Sequence, residues 1–253
     1  MGRIEGIAED RQSGAAEIAR AAAGAIADLS PDSVRAAVEA LLRGHPSMAP
    51  LWRLASEVMA GPDPSMAAER FLGHLDADGR TSVRLAEILP DRVITMSYSS
   101  TLIEALRIRR PAQVVCMRSD PGGEGARLAE AVRDGAAIVK VLDDSEVLRD
   151  LPGDAAVTGA DAVSPLGVIN KVKTRALAEA CRAWGIACYA AAGLTKFVAK
   201  RLPVVELFEE TPLDVFAAVV TPMGPLSAHV ARSYAAQSVL HPDLNPLFRS
   251  LSA

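Results

Sequence analysis

The thirteen residues Gly159-Ala160-Asp161-Ala162-Val163-Ser164-Pro165-Leu166-Gly167-Val168-Ile169-Asn170-Lys171 hold the densest set of groups that could do chemistry. Before them, residues 155–158 form an apolar run long enough for a buried strand; after them, residues 174–184 repeat small and apolar side chains at helical spacing. Asp161 is therefore expected just past the C-terminal end of a strand, the edge at which open α/β sheets bind ligands. Asn170 and Lys171, nine and ten residues further on, are expected at the start of the next helix. There, backbone N–H groups and a Lys can hold an anion. An Asp, an Asn and a Lys gathered in this way suit a phosphorylated, hydroxyl-rich small molecule. A helix-capping Asp beside a solvated Asn–Lys pair is the competing reading, and spacing alone leaves the two level.

Three more loops bring polar groups to expected strand ends. Residues 97–101, Ser-Tyr-Ser-Ser-Thr, cluster hydroxyls and N–H groups where a helix starts, and Ser99 or Ser100 should cap it. Residues 118–125, Arg-Ser-Asp-Pro-Gly-Gly-Glu-Gly, contain three glycines that allow close backbone approach to a ligand, with Arg118 as a candidate phosphate clamp. A plain turn fits the same residues. Lys196 lies beyond another strand end, in residues 191–197. No expected strand runs into Gly-x-Gly-x-x-Gly or Gly-Lys-Ser/Thr, so neither the dinucleotide fingerprint nor the Walker pattern is matched.

Composition narrows the function classes. The 253 residues allow one large α/β domain or two domains. Half of them (50%) are hydrophobic and only 4% aromatic, so Ala, Val, Leu and Ile must fill the core. A net charge of −4 without any Lys/Arg block argues against nucleic acid as a partner. The densest basic spot, Arg107 to Arg110, falls at an expected helix C-terminus, where cations complement the dipole. Cys116, Cys181 and Cys188 have no metal-type spacing and read as small core side chains. His45, His74, His229 and His241 are scattered, and no metal or organic cofactor is expected. No apolar run approaches the roughly 18 residues of a membrane span, and the N-terminus lacks an apolar signal core. A cytoplasmic protein with no membrane partner is the expectation.

The positioning elements follow from periodicity. The fold class is α/β: an N-terminal helical domain, residues 1–89, then a Rossmann-like doubly wound parallel sheet, residues 90–253. Residues 1–12 are polar and expected to fray. Helices are predicted over 13–29, from Ser30-Pro31 to about 43, over 47–59 and over 65–75. From Pro90 the texture changes. Strands at 92–96, 112–117, 136–142, 155–158 and 186–191 alternate with helices at 101–109, 124–133 and 174–184 and a helical turn at 144–150. Residues 204–208 and 217–220 read as edge strands and 226–240 as a terminal helix.

Taken together, Thr95-Met96-Ser97-Tyr98-Ser99-Ser100-Thr101, Gly159-Ala160-Asp161-Ala162-Val163, Val168-Ile169-Asn170-Lys171 and Lys196-Phe197 follow the order and spacing of one family. The chain resembles the initiation factor 2B alpha/beta/delta-like family. That family includes regulatory subunits of the eukaryotic guanine-nucleotide exchange factor, archaeal ribose-1,5-bisphosphate isomerase and methylthioribose-1-phosphate isomerase. The resemblance covers about residues 92–225, including Phe208-Glu209-Glu210-Thr211-Pro212 and Val220-Thr221-Pro222-Met223-Gly224. Ser13-Gly14-Ala15 lies near where the isomerases carry an Arg-Gly-Ala phosphate contact. The resemblance implies a helical cap on a Rossmann-like domain, homodimers formed through the C-terminal domain, and a phosphorylated pentose or nucleoside monophosphate as ligand.

The isomerases of this family convert an aldose 1-phosphate to a ketose 1-phosphate, which needs an acid to open the ring and a group that carries a proton between adjacent carbons. The resemblance assigns the catalytic roles to Asp161 and to the position of Ser97, where the family has a Cys. An alcohol titrates far above a thiol, so Ser97 needs a base beside it, and no His lies in the matching loops. Ser99, Ser100, Arg118, Asn170, Lys171 and Lys196 would bind the substrate. Other departures are the exchanged charges of Arg118-Ser119-Asp120-Pro121, a spacing one residue short between Asp161 and Asn170, Leu166-Gly167 for Asn-Gly, and Gly193 for a Glu. Two functions stay in view: a divergent phosphosugar isomerase, and a non-catalytic protein that binds a sugar phosphate or nucleotide and acts through protein contacts.

Overall fold

The computed structural model describes residues 2–252. Six helices come first: α1 (Gly2–Glu9), α2 (Ala15–Ala27), α3 (Pro31–Gly44), α4 (Ala49–Ala60), α5 (Pro64–Asp78) and α6 (Arg80–Ala86). Local chemistry sets their ends. Pro31 opens α3 where no N–H is needed, and Asp63 caps α5 by accepting from the N–H groups of Ser65 and Met66. Alanine dominates α2, so its buried face, with Ile18, Ala22 and Ile26, packs closely on α4 and α5.

Two helices in this layer escaped the sequence reading. The expected fraying at the N-terminus is replaced by α1, whose Ile4 is buried in the helical core. The pattern is too short to declare itself, and the helix forms because α3 supplies its packing partner. Gly44 permits the crossing: a Cβ there would lie 2.3 Å from the Ala8 carbonyl oxygen. The second is α6, whose Leu85 joins Leu89 in the core beneath the following sheet.

The rest of the chain alternates. In order come β1 (Arg92–Thr95), α7 (Ser100–Arg109), β2 (Gln113–Met117), α8 (Glu124–Ala131), β3 (Ile138–Leu142), α9 (Asp144–Asp150) and β4 (Ala155–Thr158). Then follow β5 (Ala162–Val163), β6 (Gly167–Lys171), α10 (Thr174–Ala183), β7 (Ala187–Ala191) and β8 (Phe208–Pro212). The chain closes with β9 (Ala218–Thr221), β10 (Gly224–Leu226), α11 (Ala228–Gln237) and α12 (Asn245–Ser252). The main sheet has the order β10-β9-β7-β4-β1-β2-β3, parallel throughout except for β10. Winding reverses between β1 and β4, which makes their C-terminal ends the switch point where such sheets bind ligands. Leu102, Leu106 and Leu128 cover one face of the sheet; Val147, Leu177 and Ala231 cover the other.

A second, antiparallel sheet of order β5-β6-β8 was not foreseen. It takes Asn170 and Lys171, expected at a helix start, and places them at the end of strand β6, ahead of α10. It also moves the strand expected at 204–208 to Phe208–Pro212. The other expected edge strand is β9, and β10 lies outside it. Ala162 and Ile169 of this small sheet enter the helical core, and α12 returns to the same core with Phe248 edge-on to Trp52. All three cysteines are free and buried. No helix of the described residues is long and apolar enough to cross a membrane.

Candidate functional site

The turn leaving β1 is held in an uncommon backbone shape. Ser97 has φ 60° and Ser119 φ 64°, a left-handed region that non-glycine residues rarely enter. A relay of hydrogen bonds holds both. The Ser97 N–H donates to Ser119 Oγ at 2.7 Å, and the Ser119 N–H donates to Asp144 Oδ1 at 2.8 Å. Asp144 also accepts from the Asp120 N–H and pairs with Lys173. Strain of this kind persists only where the surroundings over-determine it.

From that turn, Ser99 caps α7 by accepting from the Leu102 N–H at 3.5 Å. Ser100 is the first helical residue. The opening turn of α7 and that of α2, at Ala15 and Ala16, line one small polar niche with Asp161, Asn170 and Lys196. The first N–H groups of a helix have no intrahelical partner and favour an anion. The niche adjoins a cavity of about 520 Å³, with Gly14, Ala15, Ser97, Tyr98 and Asp161 lining both. That volume lies in the usual range for small-molecule sites.

Asp161 is pinned by its backbone and free at its side chain. Its N–H donates to the Ile169 carbonyl at 2.8 Å, and its carbonyl accepts from the Ala49 N–H at 2.9 Å. Its carboxylate makes no hydrogen bond or ion pair among the described residues. Burial pushes this carboxyl up to about 6, against the opposing pull of Lys196 and then Lys171. Lys196 is buried, and its Nζ has no hydrogen-bonding partner among the described residues. Burial lowers its pKa, while Asp161 and Asp78 resist. A carboxyl and an amine thus line one small niche of about 30 Å³ without closing on each other, and the niche opens beside the larger cavity.

The other predicted residues divide. Lys171 is buried on the cavity wall, its Nζ held by Glu124 Oε1 at 2.5 Å. Asn170 is buried in the niche and donates to Thr174 Oγ1 at 3.0 Å. Arg118 lines neither space: it is exposed and paired to Asp143 at 2.8 Å, which raises its pKa. The Gly-rich loop nevertheless contributes, through Glu124.

Sequence reading passed over three residues. Glu124 lies in the Gly-rich loop of residues 118–125, where nothing in the local sequence marks it. Asp78, at the end of α5, accepts from the Leu194 N–H at 2.6 Å, the Thr195 N–H at 3.0 Å and Thr195 Oγ1 at 2.6 Å. A Cβ on Gly193 would lie 2.3 Å from the Asp78 carboxyl carbon, so the carboxylate from the helical layer occupies the room of the missing Glu side chain. His45 lines the cavity from the end of α3. No local signal marks Asp78 or His45, since their partners are far away in the chain.

Comparison with known proteins agrees with this architecture. A profile of the Initiation factor 2 subunit family matches residues 83–223. A Pyrococcus horikoshii protein described as translation initiation factor eIF-2B subunit 2-like is 30% identical over 181 residues, 67% of this chain and 66% of that protein, just under two thirds of its length. A Methanothermobacter thermautotrophicus protein with the provisional description methylthioribose-1-phosphate isomerase is 26% identical over 212 residues, covering 76% of this chain and 68% of that one. Among solved structures, the translation initiation factor eIF-2B of Pyrococcus horikoshii superposes with a TM-score of 0.81 at 25% identity, over 89% of this chain and 95% of that one. A tetrameric eIF2B-beta2-delta2 complex from Chaetomium thermophilum shares the fold, with a TM-score of 0.72 at 18% identity over 93% of both chains. With the matched segment spanning more than half of its residues and carrying the switch-point loops, the chain belongs to the Initiation factor 2 subunit family.

Proposed function

We propose that this protein binds a phosphorylated pentose in the cavity between the helical layer and the sheet, and isomerises a ribose 1-phosphate-type aldose ester to the ketose. The observation that carries the reading is the setting of Asp161: its carboxyl shares a niche with Lys196, neither has a side-chain partner among the described residues, and burial pushes the carboxyl up to about 6. A carboxyl in that range can hold a proton and release it near neutral pH. Lys196, Asn170 and the opening turns of α2 and α7 would hold the phosphate, and Lys171 a ring hydroxyl. Asp161 would protonate the ring oxygen as its bond to C1 breaks. A base would then remove the C2 proton and return it at C1, while the 2-hydroxyl proton passes back to Asp161. Ser97 reaches the cavity, but a lone hydroxyl is a poor base at neutral pH.

A second reading draws on Ser97 and on the descriptions of the Pyrococcus relatives. The same site would hold a sugar phosphate or nucleoside monophosphate as a regulatory ligand, with no turnover. In either case we place a homodimer contact on the sheet-bearing part, a point that sedimentation would test. The experiment that separates the readings is a melting-temperature screen over ribose 1-phosphate, ribose 1,5-bisphosphate, methylthioribose 1-phosphate and AMP, followed by exchange of the C2 proton in D2O. Stabilisation with exchange supports the isomerase, and stabilisation without exchange supports the regulator. A flat screen removes both.

A further inference from the structure

We propose that His45 is the base of this cavity, the group that takes the C2 proton and returns it at C1. The inference rests on the isomerase reading above and fills the place that Ser97 leaves open. The residue is only 5% exposed and lines the cavity together with Asp161 and Ser97. Its Nε2 lies 2.7 Å from the Ile7 carbonyl oxygen. A carbonyl can only accept, so Nε2 carries the hydrogen, and in the neutral ring Nδ1 keeps the lone pair. Nδ1 has no hydrogen-bonding partner among the described residues, yet it is not among their sealed, partnerless polar atoms, so it keeps accessible surface on a side chain that lines the cavity.

The surroundings favour the neutral imidazole. Burial lowers its pKa, the Ile7 carbonyl resists, Arg11 lowers it further and Asp10 opposes. An acid whose pKa is pushed up and an imidazole whose pKa is pushed down, lining one cavity, make the pairing that acid–base chemistry needs. The other carboxylates lining the cavity are less suited: Glu124 has one oxygen held by Lys171 and the other sealed from solvent without a partner, Asp10 accepts from the Gln12 and Ser13 N–H groups, and Glu206 is exposed. The proton count balances. Asp161 gives one proton to the ring oxygen and receives one from the 2-hydroxyl; Nδ1 receives one from C2 and gives it to C1. The helix α1 thereby gains a role, since its Ile7 carbonyl fixes the tautomer.

The test compares the wild type with His45→Gln and Asp161→Asn, using ribose 1-phosphate as the probe. For His45→Gln, C2 proton exchange in D2O should fall at least ~100-fold, the scale of a lost general base, while the ligand still raises the melting temperature. Exchange at close to the wild-type rate in His45→Gln overturns the assignment and leaves the isomerase reading standing. No exchange in the wild type overturns the isomerase reading and this inference with it. Should His45→Gln fail to fold, 15N-histidine NMR of the wild type decides. An unprotonated Nδ1 whose resonance moves on adding ribose 1-phosphate supports the role, and a protonated or unresponsive Nδ1 overturns it.

Discussion

At the scale of single residues, Asp161 links stability to pH. A rise from 3.8 to about 6 makes ionising it cost about 3 kcal/mol more in the folded chain than in the unfolded one. Because the folded value is the higher one, the carboxyl favours folding most below pH 4, and that contribution is lost as pH rises through about 6. Asp161→Asn removes the ionisation. Its melting temperature should exceed the wild type's at pH 7 by clearly more than at pH 4, and a gap that does not change with pH would contradict the assigned burial. The lowered His45 has the opposite sign, losing its contribution as pH falls, and it is common to both proteins. Lys196 allows a second comparison. Lys196→Met removes a buried, unpaired amine, so the ligand-free protein should melt no lower, while affinity for ribose 1-phosphate drops at least ~10-fold. Arg118→Ala, altering an exposed pair with Asp143, should leave that affinity within about twofold.

At the scale of elements, the end of α5 and the loop after β7 act as one unit. Asp78 satisfies two backbone N–H groups and a hydroxyl there, so Asp78→Ala should destabilise by roughly 2–3 kcal/mol and weaken ligand binding through Lys196. Restoring the residue that the family resemblance leads one to expect should fail on its own. Gly193→Glu places its Cβ against the Asp78 carboxyl and should destabilise, whereas Asp78→Gly in the same chain should recover part of the loss. Denaturant melts of the two single variants and the double variant measure the coupling. Additive losses would mean that the two positions do not share that space.

At the scale of the whole molecule, the cavity is built from both layers. Residues 10–15 and His45 come from the helical side, and Ser97, Glu124, Asp161 and Lys171 from the sheet side. A ligand seated there should slow amide hydrogen exchange at residues 12–15 and 97–100 together. Protection confined to one of these segments would place the ligand elsewhere. Arg127 already ties the two sides, donating to the Gln12 carbonyl at 2.8 Å and lying 4.6 Å over the Tyr98 ring.

Much of the architecture could be read from the chain because it rests on local regularities. The alternation after Pro90 forecast the parallel strands and their helices, and Pro31 and Ser99 marked real helix starts. The sequence also singled out Asp161, Asn170, Lys171 and Lys196, which the fold does gather around one niche and its cavity. Where the outcome depended on a partner far along the chain, the sequence was silent or misleading. Lys171 looked like a helix start because β6 pairs with β8 some forty residues later, a pairing with no local mark. Arg118 looked like a clamp until Asp143 took it, and His45 looked idle until α1 folded against its ring. Periodicity and turn chemistry lie within a few neighbouring residues, so the sequence alone determined the elements and the first candidates. Burial and pairing are set by atoms distant in the chain, so only the tertiary structure decided which side chains meet and which hold their protons.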